Sequence, residues 1–207
     1  MKIEILDLGI NNLKSLTTGL QALGDVDLSV IDNASSSNNP DLLVLPGVGA
    51  FGEAMRRIQD RAFDYLIQRH IENGHKIFGI CLGMQLLFEE SEETPNCLGL
   101  GIFRGKVQRL NSHARVPNIG WLDAKYLPNP NWETKLNKFQ YYFVHSYTAV
   151  PVNSSEVLAT SIHGRDEFVA AVISEQALGV QFHPEKSSAA GEELLIAVLA
   201  WAGYVKS

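Results

Sequence analysis

The sequence predicts an α/β fold: an open, mostly parallel twisted sheet with flanking helices and added antiparallel strands. Three observations carry this expectation. Over the first eighty residues, short β-branched or Leu-rich runs alternate with helical patterns, the βαβ signature of a parallel sheet. From Gly101 onward, strand-like runs follow one another without intervening helices. An apolar helical segment then closes the pattern near the C-terminus.

Taken in order, strands are expected at Lys2 to Leu8, Asp27 to Asp32, Asp41 to Leu45 and Lys76 to Ile80. In the first helix, Leu13, Leu16, Leu20 and Leu23 share one face, with Asn11 or Asn12 as cap and Gly24 as stop. Ser35 to Asn39, a polar run ending at Pro40, reads as a loop. A second helix is predicted over Phe51 to Asn73, stopping at Gly74, and a short one over Met84 to Phe88. Further strands are expected at Gly101 to Leu110, Arg115 to Tyr126, Tyr141 to Val150, Val157 to His163, Phe168 to Ser174 and Ala177 to His183, before a last helix near Ala189 to Tyr204.

Composition bounds the function. The 207 residues, 45% apolar and 19% charged, are those of an ordinary globular chain of one generous domain or at most two small ones. Seventeen basic against twenty-three acidic residues give a net charge of −6, a repulsive field for nucleic acid. Acidic Glu4 and Asp7 run against a signal peptide, and the apolar run Leu194 to Val205 is shorter than the roughly 17–25 residues of a membrane span. A soluble cytoplasmic protein is expected. The histidines form no close pair at ligand spacing beyond His70 and His75, so neither metal nor cofactor is expected. With only Cys81 and Cys97, no disulfide framework is available, and the question is whether one thiol is reactive.

Around Cys81 the chain reads Gly79-Ile80-Cys81-Leu82-Gly83, between a predicted strand and a predicted helix. This is the layout of a nucleophile elbow with sulfur in place of the serine oxygen, in which the close approach of strand and helix demands glycine on both sides. A helix N-terminus favours the thiolate, and such placements lower a cysteine pKa from about 8.5 to about 3.5–7.5. On spacing alone, a buried cysteine between two packing glycines fits equally well. Near the other end, Gly179-Val180-Gln181-Phe182-His183-Pro184-Glu185 places a carboxylate two residues after a histidine at a strand end, able to fix the imidazole tautomer as in hydrolase triads. A third segment, Pro46-Gly47-Val48-Gly49-Ala50-Phe51-Gly52, matches a dinucleotide fingerprint by letter. It follows the wrong strand for that role and suits a flexible source of oxyanion-facing N–H groups better.

With these segments in view, the chain resembles the class I (triad) glutamine amidotransferases and, among them, the glutaminase subunits of imidazole glycerol phosphate synthase. The resemblance runs through Pro46 to Gly49, Gly79 to Glu93, Val116-Pro117, Ile119-Gly120-Trp121, Tyr142 to Tyr147 and Phe182 to Ser187, and spans essentially residues 1–207 as a single amidotransferase domain. It implies that Cys81 attacks the glutamine amide, His183 carries the proton to ammonia and Glu185 orients His183. It further implies an oxyanion hole from the N–H groups of Gly49 and Leu82, and glutamine held by Gln85, Glu93, Ser146 and Tyr147. Glu89, Glu90 and Glu92 read instead as a solvated helix end.

The length leaves no room for an ammonia acceptor, so a partner chain is expected. In the family this is a (β/α)₈ cyclase that forms a heterodimer with the glutaminase and makes imidazole glycerol phosphate and AICAR in histidine biosynthesis. The resemblance places Asn12, Asn118, Trp121, Tyr142 and Lys186 at that docking face. Four of these have a plainer reading: Asn12 as a helix cap, Trp121 and Tyr142 as core aromatics, Lys186 as a solvated cation. Two positions depart from the family pattern, Asn118 where histidine is usual and Leu122 where asparagine is usual. They keep open an amidotransferase paralogue that supplies ammonia for acetamidino sugars. A cysteine peptidase or deglycase-like hydrolase, and a non-catalytic binding module, are the alternatives from other classes.

Overall fold

The computed structural model describes residues 1–10, 13–111, 113–132, 136 and 140–205. The chain runs β1 (Lys2–Leu6), α1 (Lys14–Ala22), β2 (Asp27–Ile31), β3 (Leu42–Gly47), α2 (Phe51–Asp60), α3 (Phe63–Glu72), β4 (Lys76–Cys81) and α4 (Leu82–Leu86). It continues with β5 (Phe88–Ser91), β6 (Phe103–Arg109), β7 (Asn118–Asp123), β8 (Lys125–Tyr126), β9 (Gln140–His145), β10 (Tyr147–Pro151), β11 (Val157–His163), β12 (Asp166–Ile173), β13 (Ala177–Val180) and α5 (Ser188–Trp201).

The main sheet has the order β2-β1-β3-β4-β13-β12-β11-β8. Its first five strands are parallel, and β12, β11 and β8 are added antiparallel. Alternation along β3 sorts the core into two layers. Leu42 and Val44 face Leu16 and Leu20 of α1 with Leu194 and Val198 of α5; Leu43 and Leu45 face Met55, Ile58 and Ile67 of α2 and α3. Two smaller sheets flank this sandwich: β10-β6-β5, and the antiparallel ribbon β7-β9.

The predicted helix over Phe51 to Asn73 is two helices. Ile58 and Phe63 are both fully buried but five residues apart, a spacing that one straight helix does not keep on one face. The chain absorbs it by turning at Ala62, whose φ of 56° is left-handed. Where the helix was expected to run on to Phe88, α4 stops at Leu86 and β5 begins. Glu89 and Glu92 are therefore not a solvated helix end: Glu89 accepts from the Gly105 N–H, and Glu92 from the Arg109 N–H and the Lys106 ammonium. The run Arg115 to Tyr126 divides into β7 and β8, and Tyr141 to Val150 into β9 and β10, which serve different sheets on either side of Ser146. The loop after β2 holds one 3₁₀ turn at Ala34–Ser36. Helix α1 carries Leu13 at its N-cap position without a side-chain cap, and the expected caps Asn11 and Asn12 lie outside the described residues. Among the described residues no helix is long and apolar enough to cross a membrane.

Candidate active site

The site sits where β3, β4 and β13 end side by side at the carboxyl edge of the sheet, the usual ligand position in open α/β folds. Cys81 closes β4 and stands immediately before α4, with φ 54° and ψ −108°, a conformation that side-chain-bearing residues rarely adopt. The glycines make the turn possible. A Cβ on Gly83 would fall on the Leu45 carbonyl oxygen, and one on Gly79 would meet the Gly83 backbone at 2.8 Å. The strained turn leaves Cys81 only 6% exposed, its sulfur 4.0 Å from the Val144 carbonyl oxygen and 3.7 Å from Gln181 Nε2.

Strand register sets the neighbours. Gly47 pairs with Cys81, so the Gly47-Val48-Gly49 segment leaves β3 beside the nucleophile, with Gly49 at φ 100°. Val180 pairs with Ile80, and the chain beyond β13 carries His183 over the same edge. His183 Nδ1 lies 2.8 Å from Glu185 Oε1, which fixes Nδ1 as the protonated nitrogen opposite the carboxylate. His183 is buried, and its Nε2 makes no hydrogen bond among the described residues. Burial alone lowers the basicity of this ring, but the adjacent Cys81 and the hydrogen-bonded, charged Glu185 outweigh it and raise His183 to about 9. At neutral pH the imidazole is a proton donor opposite a sulfur nucleophile.

The ring is held from behind as well. The His183 N–H donates to the Tyr142 carbonyl oxygen at 2.9 Å. Ser187 Oγ donates to the His183 carbonyl oxygen at 2.6 Å and accepts from the Tyr142 N–H at 3.0 Å. Ser187 is 1% exposed; in the sequence it figured only as the end of a family motif, with no role of its own.

One cavity of about 430 Å³ collects Gly49, Cys81, Leu82, Gln85, Glu93, Ser146, Tyr147 and His183 of the sequence-derived set, together with Lys186. Glu185 lies behind His183 and outside this lining, as a residue that orients the base would. Glu93 Oε2 accepts from the Phe51 N–H at 2.7 Å, so the carboxylate also caps the first turn of α2. The Gln85 amide donates to the Tyr147 carbonyl oxygen at 3.1 Å and to Gln181 Oε1 at 3.0 Å. Cys97 lies outside this lining, its Sγ 3.8 Å from the Leu98 carbonyl oxygen. Among the described residues no group of three or more His, Cys, Asp or Glu side chains is arranged to hold a metal ion.

Two buried residues were missed. Gln181 borders the nucleophile and His145 lines the same cavity, at 0% and 5% exposure. The available signal for Gln181 was its position two residues before His183, which puts both on one side of an extended chain otherwise lined by apolar residues.

Of the expected docking residues, Trp121 is 47% exposed on β7, stacks edge-on against Tyr142 of β9 at 6.0 Å, and Lys186 reaches over the Tyr142 ring at 5.8 Å. Trp121 is thus not a core aromatic. Asn118 is a correction: it is 1% exposed, and its Nδ2 lies 2.9 Å from His145 Nε2, so its side chain offers nothing to a partner. Leu122 packs against the core, where an apolar residue belongs. Asn12 lies outside the described residues.

Residues 4–200 match the family model described as glutamine amidotransferase class-I. The chain is 39% identical over 196 residues to the imidazole glycerol phosphate synthase subunit HisH of Aquifex aeolicus, covering 94% of each chain. It is 44% identical over 202 residues to the protein of the same name from Pyrococcus furiosus, covering 94% of this chain and 96% of the relative. Among solved structures, one titled as a glutamine amidotransferase superposes with a TM-score of 0.77 at 20% identity, over 98% of this chain and 99% of its own. The PurLQS structure from Thermotoga maritima matches at 0.75 and 19% identity, over 97% and 98%.

Proposed function

Since the chain belongs to the class I glutamine amidotransferases, we propose that it is the glutaminase subunit of an imidazole glycerol phosphate synthase, hydrolysing L-glutamine in a Cys81–His183–Glu185 triad. The observation that carries the reading is the convergence of an elbow cysteine and a carboxylate-braced, proton-bearing histidine at one cavity.

Cys81 sulfur attacks the carboxamide carbon of glutamine, and the N–H groups of Gly49 and Leu82 face the oxygen that gains charge. His183 passes its proton to the amide nitrogen, the C–N bond breaks, and ammonia leaves a glutamyl thioester. His183, now neutral at Nε2, takes a proton from water as that water attacks the thioester, and glutamate and the thiol are released. Glu185 holds the tautomer throughout and stabilises the positive charge whenever His183 carries it. Glu93 suits the substrate α-ammonium, while Ser146 and Tyr147 lie on the side for its α-carboxylate. Gln85, with both amide hydrogens engaged, offers its carbonyl oxygen.

Residues 1–207 act as a single amidotransferase domain in the cytoplasm, in a heterodimer with a (β/α)₈ cyclase that consumes the ammonia in histidine biosynthesis. Similarity to subunits of that synthase favours this assignment over the acetamidino-sugar paralogue. Exposed Trp121, half-buried Tyr142 and Lys186, which also lines the cavity, touch one another and suit the docking face. Cys81→Ala tests the chemistry: glutamine-dependent synthesis by the complex is expected to be abolished while ammonia-dependent synthesis survives. Glutamine turnover at a tenth of the normal rate or more would contradict it.

A further inference from the structure

We propose that Gln181 is a positioning residue for the nucleophile, the last link of a buried hydrogen-bond chain that begins at Asn118 on β7 and delivers an N–H to Cys81 Sγ. The proposal rests on the reading of Cys81 as the nucleophile.

The chain of contacts has a polarity that one group decides. The Tyr147 carbonyl oxygen only accepts. His145 Nδ1, 2.8 Å away, must therefore donate to it. Burial lowers His145 to about 4, so the ring is neutral and its Nε2 carries a bare lone pair. That lone pair takes an N–H from Asn118 Nδ2 at 2.9 Å, which is why an amide is suited to this position. From the other side, Gln85 Nε2 donates to the same Tyr147 oxygen at 3.1 Å. Its second hydrogen then points to Gln181 Oε1 at 3.0 Å. With the oxygen of Gln181 engaged, the end that faces the sulfur at 3.7 Å is the NH₂ group.

Every side chain in this run is buried: Asn118 1%, His145 5%, Gln85 5% and Gln181 0% exposed. None of the three amides can turn over without setting donor against donor or acceptor against acceptor in a buried place. An N–H with no proton to lose favours a thiolate over a thiol and stays in place as the sulfur charge changes during turnover. The other titratable groups facing Cys81 across the cavity are His183 with Glu185 behind it, His145, Tyr147, Glu93 and Lys186; none of these donates to the sulfur along this path.

The test is alkylation of the full chain by iodoacetamide from pH 5 to 10 without glutamine, with peptide mapping of the adduct, on wild type, Gln181→Met and Gln181→Glu. Both replacements keep the side-chain length; one removes the donor and the other replaces it with a carboxylate. Expected for Gln181→Met is a roughly tenfold slower Cys81 reaction at pH 7, with the half-maximal rate reached about one pH unit higher. Gln181→Glu moves further in the same direction. In the partner complex, glutaminase kcat falls while KM stays within about twofold, a split that a general loss of packing would not give. If neither variant at 181 folds by circular dichroism, Gln85→Met, which removes the donor orienting Gln181, gives the same upward shift. A wild-type Cys81 that resists alkylation across the range would defeat the nucleophile reading. A reactive wild-type Cys81 with variant profiles within twofold of it would overturn the role of Gln181 alone.

Discussion

The N–H of His183 donates to the carbonyl oxygen of Tyr142 at 2.9 Å, tying the base to the exposed β7-β9 ribbon, and Ser187 Oγ closes the same junction from both sides. Ser187→Ala leaves the Tyr142 N–H without its partner in a buried place and the His183 carbonyl with the Lys186 N–H alone. Steady-state assays should show kcat lowered about tenfold with KM within twofold, and thermal unfolding should show about 1–3 kcal/mol of lost stability.

Gly49, at φ 100° and exposed beside the nucleophile, lets the preceding peptide take more than one orientation. A partner that binds the state with its N–H aimed at the oxyanion shifts the population toward it. The isolated chain should therefore be a poor glutaminase, stimulated about 10²–10³-fold by a cyclase carrying its acceptor ligand, since one oxyanion donor is worth that much. Equal rates with and without partner would exclude the idea.

Lys186 lies over the Tyr142 ring next to the exposed Trp121. Lys186→Glu places a carboxylate against the ring face and reverses a charge at the docking surface. Titration calorimetry with the cyclase is expected to show at least about tenfold weaker association for the variant, a difference that narrows as salt is added.

Acid and alkali act on different histidines. His145 and His70, both lowered to about 4 chiefly by burial, bind fewer protons folded than unfolded between about pH 6.5 and 4. Stability therefore falls as pH drops through that window. His183 has the opposite sign. Raised to about 9, its contribution is full below about 6.5 and is lost as pH rises through 9, amounting to about 3 kcal/mol at most. The gap in Tm between wild type and His183→Gln should narrow from pH 6.5 to 9.5, and a gap that widened would contradict this sign.

The parallel half of the sheet and the Cys81 elbow were legible because each is written in short-range spacing, alternating apolar runs for one and flanking glycines for the other. The division at Ala62 was not, because the periods of α2 and α3 join with a slip of one residue that looks continuous on the page. The break at Ser146 was hidden by an unbroken aromatic run whose two halves bond to partners far away in sequence. Asn118 was placed at a docking face by the family resemblance, together with Trp121 on the same strand. Along an extended ribbon, though, positions 118 and 121 point to opposite faces, and the buried one is satisfied by a histidine 27 residues away. Gln181 has the same origin: its partners lie 96 and 100 residues upstream, beyond what local spacing records.

The most direct test of the account is covalent labelling of the complex with a diazo-ketone analogue of glutamine, followed by peptide mapping. The account predicts a single adduct on Cys81, prevented by excess glutamine, appearing in step with the loss of glutaminase activity, with Cys97 unmodified. An adduct on Cys97, or loss of activity with Cys81 untouched, would contradict it.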